Sequence, residues 1–136
     1  MNIRKCIACV GGIATLLVLT ACVSSMTAYT MKDDTLKKGP LTLSIMELNS
    51  YPGDTHFSGT AVLTNNSDNN VVFDAAELRL KDVKNNRIFA SQGFTHECKP
   101  GTSTSVTLGF MTKPGEANGK TLKLQWGDQE ITLLRP

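Results

Sequence analysis

The stretch from Leu122 to Leu133 admits one pairing that keeps its apolar residues together. Gly127-Asp128 fits a two-residue hairpin loop, with glycine at the first corner where φ must be positive. That loop sets Trp126 opposite Gln129, Leu124 opposite Ile131 and Leu122 opposite Leu133. Side chains alternate faces along a strand. The apolar residues of both arms therefore share one face, and Lys123, Gln125, Glu130 and Thr132 share the other. A slip of one residue would send one arm's apolar set into water, so the register is tightly specified.

The same period of two runs through the rest of the chain. Leu41, Leu43 and Ile45 alternate with Thr42 and Ser44, and the alternation slips near Met46-Glu47-Leu48, which predicts a bulge or a strand end there. Tyr51-Pro52-Gly53-Asp54 reads as a turn. Phe57, Gly59, Ala61 and Leu63 share a face of the next strand, which ends in Asn65-Asn66-Ser67-Asp68-Asn69-Asn70. That cluster favours local side-chain to backbone bonds, so its glycosylation-like sequon reads as turn chemistry. One acid among amides is too few for a calcium site.

Val71-Val72-Phe73 resumes a strand. Ala76 to Ala90 reads as a hairpin turning at Asn85-Asn86, with its register open. Pro100-Gly101 turns the chain before Val106, Leu108 and Phe110. No helical pattern of ten or more residues appears after the first 21 residues. About seven short strands, each with one apolar face, predict a two-sheet antiparallel sandwich.

The N-terminus has a different character. Arg4 and Lys5 precede an apolar run from Ile7 to Leu19, about 13 residues and short of the roughly 18–20 that span a bilayer. Leu19-Thr20-Ala21-Cys22 follows, then polar Ser24-Ser25. This tetrapeptide resembles the lipobox of bacterial lipoproteins. The resemblance implies a signal peptide over residues 1–21, cleavage between Ala21 and Cys22, and acylation of Cys22 by diacylglycerol and palmitate. A secretory signal cut elsewhere, or an uncleaved anchor, is the competing reading. The resemblance to Gram-negative lipoproteins further implies, from Val23 rather than aspartate after the cysteine, an outer-membrane destination facing the periplasm.

Cleavage before Cys22 removes 21 of 136 residues, leaving 115, enough for one domain. It also takes Arg4 and Lys5 from the 14 basic residues, leaving 12 against 12 acidic ones. A neutral chain lacks the basic stripe that nucleic acid requires. It equally lacks polybasic attraction to anionic lipid, so attachment falls to the acyl chains. Val23 to Thr30 is small and polar with no sustained period, and Lys32-Asp33-Asp34 and Lys37-Lys38-Gly39-Pro40 follow, so residues 22–39 read as a lipidated N-terminus and tether. Residues 40–136 then hold the folded domain.

Gly59-Thr60-Ala61-Val62-Leu63-Thr64-Asn65-Asn66-Ser67-Asp68, then Val71-Val72-Phe73 and Leu78-Arg79-Leu80-Lys81-Asp82, resemble small immunoglobulin-like domains of bacterial lipoproteins of unknown function. Pro100-Gly101 before a strand ending in Phe110 fits the same pattern. The resemblance spans residues 57 to 126. It implies an all-β, immunoglobulin-like antiparallel sandwich and no catalytic residue, and such a fold does not fix a function.

Chemistry-bearing residues are sparse. His56 and His96 are the two histidines, and no nucleophile elbow, phosphate loop or zinc-protease run is present. The chain therefore reads as a non-enzyme without a cofactor. Only Cys22 and Cys98 remain after processing, so an intramolecular disulfide is excluded once Cys22 carries lipid. Cys98 reads either as a small buried residue or as a ligand with His96, two positions away on one strand face. With His56 or Met111 joining, such a set suits copper or zinc. The other reading is a protein-binding or structural module of the envelope, an accessory subunit or an immunity or inhibitor protein. Phe94, Tyr51 and Phe89 are its candidate aromatic anchors.

Overall fold

The computed structural model describes residues 26–50, 56–111 and 121–135, of His56 the backbone alone. The strands are β1 (Thr27–Ala28), β2 (Thr30–Met31), β3 (Thr35–Lys38), β4 (Leu41–Ser50), β5 (His56–Asn65) and β6 (Val71–Asp74). They continue with β7 (Leu78–Asp82), β8 (Arg87–Ala90), β9 (Thr95–Cys98), β10 (Ser103–Met111), β11 (Thr121–Trp126) and β12 (Gln129–Leu134). A 3-10 turn at Ala75–Glu77 begins where Asp74 caps the amide of Ala76.

One sheet runs β4-β5-β10, with β1 and β3 both on the outer side of β4; the other runs β2-β12-β11-β7-β8. β6 and β9 form a separate ribbon. In immunoglobulin terms β4, β5 and β10 are strands A, B and E, while β12, β11, β7 and β8 are G, F, C and C′. The fold is thus the all-β sandwich that the alternation implies. One departure matters below: β9 has the D strand's place in the chain, yet it pairs with β6 instead of β10.

The inner faces supply one continuous core. Phe57, Ala61 and Leu63 from β5, and Val106, Leu108 and Phe110 from β10, meet Leu78, Leu80, Leu122, Leu124, Trp126, Ile131 and Leu133. Trp126 is fully buried edge-on to Phe73, with ring centroids 5.6 Å apart. Each such aromatic contributes about 1.5–3 kcal/mol by leaving water. The β11–β12 hairpin has the expected register, Trp126 opposite Gln129 and Leu124 opposite Ile131, with Gly127 at φ 62°.

The slip in β4 is a bulge between Ile45 and Glu47, which leaves Met46 exposed. The bulge pushes the Glu47 carbonyl toward β5. A Cβ at Gly59 would stand 2.5 Å from that oxygen, so the position needs glycine for space. β7 and β8 pair Lys81 with Ile88 around the four-residue loop Val83–Asn86, and Asn86 takes φ 50°. Buried Asp82 accepts from the amides of Lys84 and Asn85 and from the Asn85 side chain, which closes the loop.

The expectation of a tether over residues 22–39 needs correction from residue 26 onward. Residues 27–38 form an edge segment that switches sheets: β1 and β3 pair with β4, while β2 between them pairs with β12. Tyr29 and Leu36 are buried, and Gly39-Pro40 turns β3 tightly into β4. Serving two sheets in turn destroys any constant apolar period, which is why the segment reads as spacer. Cys22 and Ala21, like the Tyr51–Asp54 turn, lie outside the described residues.

Candidate functional site

The ligand-type residues are not gathered. His96 is exposed on β9, and Cys98 at the end of that strand is buried, its thiol directed at the His96 carbonyl oxygen at 3.7 Å. Burial pushes the Cys98 thiol up, away from the thiolate that metal binding or nucleophilic attack requires. His56 starts β5, opposite Met111 in the ladder with β10. The Cys98 carbonyl instead meets Asn65 at the far end of β5. Nine strand rises, roughly 30 Å, therefore separate His56 from that end of the sheet. His56 and Cys98 sit at opposite ends of the sandwich, and Met111 belongs with His56. Among the described residues no three His, Cys, Asp or Glu converge.

The aromatic candidates divide. Phe89 is in the core and Tyr51 lies outside the described residues. Phe94 is half-buried, its ring 5.8 Å from that of Phe73, and it walls an open groove of about 600 Å³. The groove runs along β10 between Thr107, Leu108 and Met111 on one side and Gln92 and Phe94 on the other, with Phe57 below.

Its origin is local. Ser91 bridges to Phe110, and the Gln92 amide donates to the Gly109 carbonyl at 2.8 Å. Gly109 lets the Gln92 side chain lie flat on β10, since a Cβ there would approach Gln92 Oε1 to 2.7 Å. The chain then leaves β10: Phe94 accepts from the Ala75 amide, and β9 pairs with β6. The gap left beside Leu108 is the groove. Sequence reasoning did not single out Gln92, Gly93 or Gly109, and the one local signal was a lone Gly93 between two strands.

A second groove of about 300 Å³ lies at the β6 end, lined by Leu41, Val72, Phe73 and Trp126. Lys38 Nζ meets Glu77 Oε2 there at 2.6 Å, and Trp126 Nε1 donates to the same oxygen at 3.3 Å. The Lys38 hydrogen bond holds the Glu77 carboxyl below the usual range, with Trp126 adding to it. This clamp ties β3, the 3-10 turn and β11 together, and its charges are already satisfied.

Asn65 is the other organised polar centre. Its side chain, fully buried, donates to the carbonyls of Asn69 and Cys98 at 2.7 and 2.9 Å. Its oxygen accepts from the amide and hydroxyl of Ser67. Its backbone bonds Gly101 and Thr102. All hydrogen-bonding capacity of the amide is used internally, so it organises the fold and offers nothing to a ligand.

No family model matches the chain, and no curated protein matches it. Among solved structures, the chain is similar to a functionally unknown protein from Listeria monocytogenes EGD-e, at 11% identity, 83% of this chain, 87% of that one and a TM-score of 0.56. The yjhA protein of Bacillus subtilis aligns at 12% identity over 65% of this chain and 75% of that one, with a TM-score of 0.48. At 11% identity the Listeria likeness is one of fold alone.

Proposed function

We propose that the chain is a lipid-anchored module of the cell envelope that binds another protein and carries out no reaction. The observation that supports the reading is the pairing of Leu19-Thr20-Ala21-Cys22, a tetrapeptide similar to a lipobox, with a β-sandwich that keeps an open groove along one edge strand. Acylation of Cys22 holds the domain at the membrane surface, and two or more acyl chains suffice for stable attachment. The destination that fits Val23 is the outer membrane, facing the periplasm. From there the sandwich presents loops, edges and a half-buried aromatic, Phe94, to neighbouring proteins.

The roles that suit such a module are an accessory subunit of an envelope assembly and an immunity or inhibitor protein. Its test is in-cell crosslinking of the lipidated protein, read by mass spectrometry. Recovery of one envelope protein in near-stoichiometric yield is the expected result. Recovery of nothing above a background lipoprotein control would overturn the binding role.

A further inference from the structure

We infer that the outer edge of β10 is a docking site for an extended, uncharged segment of a partner polypeptide. The segment adds to the sheet as one more strand and sets an apolar side chain into the groove beside Phe94. This rests on the reading of the chain as a binding module and names the surface that binds.

The direction of the backbone groups comes first. The Asn65 amide donates to the Thr102 carbonyl, so even-numbered residues of this strand turn their peptide groups toward β5. The Gly109 carbonyl accepts from Gln92 on the opposite side, so odd-numbered residues turn theirs outward. The N–H and C=O groups of Ser103, Ser105 and Thr107 therefore form a row on the last strand of the sheet, with no strand partner among the described residues. A row at that spacing is complementary to another extended backbone.

The second observation is a contrast among edges. Apart from the two-residue strands β1 and β2, the other strands with an open edge carry a charge: Lys37 and Lys38 on β3, Arg87 on β8, Glu130 on β12, Asp74 on β6 and Glu97 on β9. Such charges discourage strand addition. β10 has nine residues with neither charge nor proline. It is the one long edge in the described fold left without these devices.

The third is continuity. Ser91 and Gln92 already begin a ladder on this edge, and Gly93 leaves it. The residue that would have stood opposite Leu108 is missing from the ladder, and the groove occupies that place. Cross-strand partners share a face. An incoming residue opposite Leu108 thus shares its face and meets Phe94, the half-buried aromatic of the groove, while Leu108 and Phe57 are already covered by the core. The neighbours of the incoming strand lie along Ser103, Thr104, Ser105 and Val106, which themselves offer hydroxyls and a methyl surface but no charge. A second copy fits less well. Pairing two β10 edges about Ser105, with outward groups in register, would bring polar Thr102 opposite Leu108.

The test uses the full chain extracted in detergent and an uncharged, end-capped peptide, Thr-Val-Thr-Phe-Thr-Val-Thr. Amide hydrogen exchange is followed residue by residue. Without peptide, Ser103, Ser105 and Thr107 should exchange freely while Thr104, Val106 and Leu108 are protected by β5. With peptide, the three odd amides should slow at least tenfold. Ser105→Pro removes an outward N–H without removing a β5 bond and should abolish that effect. Ser105→Lys, a change on the exposed face, should weaken peptide binding at least fivefold. Protection of Val106 and Leu108 in both variants reports that each is folded.

Odd amides already protected in the dilute free chain would overturn the proposal. So would protection that grows with protein concentration alone, which would assign the edge to a second copy. Peptide binding untouched by both variants, or no binding, also overturns it. If the peptide fails while in-cell crosslinking recovers a partner, the edge is wrong and the binding role stands. An empty crosslink instead removes the binding role itself.

Discussion

Replacing Asn65 separates its role as a buried hub from an ordinary turn residue. Four side-chain hydrogen bonds converge on it, from 2.7 to 3.0 Å. Ser67 and Asn69 have access to water and recover part of their loss in Asn65→Ala, whereas the Cys98 carbonyl loses a buried donor. A net bond contributes about 0.5–1.5 kcal/mol and an orphaned buried group costs about 1–3, so the expected loss is about 2–4 kcal/mol. Urea unfolding should show a lower midpoint with an unchanged slope.

Asn65→Asp sharpens the test. It sets a carboxylate oxygen where the amide nitrogen faced two carbonyls, so it should cost more than alanine at neutral pH. Its carboxyl should titrate in the folded state above the unfolded value of about 3.9. The folded state then holds the proton more tightly, and stability relative to wild type falls as pH rises from that value through the folded pKa. Acid should therefore recover part of the Asp penalty and leave the Ala difference flat. A change below about 0.5 kcal/mol for Asn65→Ala, the size of an ordinary surface substitution, would refute the hub.

Other substitutions probe other contacts. Gly59→Ala should destabilise by about 1–3 kcal/mol in the same urea assay, because the Glu47 carbonyl oxygen at 2.5 Å is backbone and has to move. Glu77→Gln should cost at most about 0.5 kcal/mol, since both members of its pair with Lys38 are nearly half exposed. With the folded Glu77 pKa lowered, that difference is present above about pH 4.3, fades as pH falls through the folded pKa, and shrinks in high salt. Cys98 should react slowly with a thiol reagent in the native chain and rapidly in urea; zinc or copper(I) bound in a way abolished by Cys98→Ser would reverse the reading of it as a core residue.

What was legible in the sequence was local. The β11–β12 register follows from one loop and the parity of its arms, and the β4 bulge follows from a slip in alternation at Met46. The segment Thr27–Lys38 was illegible because Tyr29, Met31 and Leu36 serve different sheets in succession. Asn65 looked like a turn former, since its bond to Cys98 spans 33 residues and exists only once β9 has folded back. The His56–Cys98 set failed for the same reason: spacing along the chain does not say which end of a sandwich each residue reaches. The groove depends on β9 choosing β6 over β10, a tertiary choice marked in the sequence by nothing beyond Gly93.

The functional proposal depends on the mature chain beginning at a lipidated Cys22. Its most direct test is the intact mass and N-terminal peptide of the protein extracted from membranes of its native host. The expected result is a chain starting at Cys22, heavier than its polypeptide by diacylglycerol and an acyl group, with Cys22→Ser recovered as unprocessed precursor or free of lipid. A chain starting elsewhere without lipid, or Cys22→Ser processed and still membrane-bound, would contradict it.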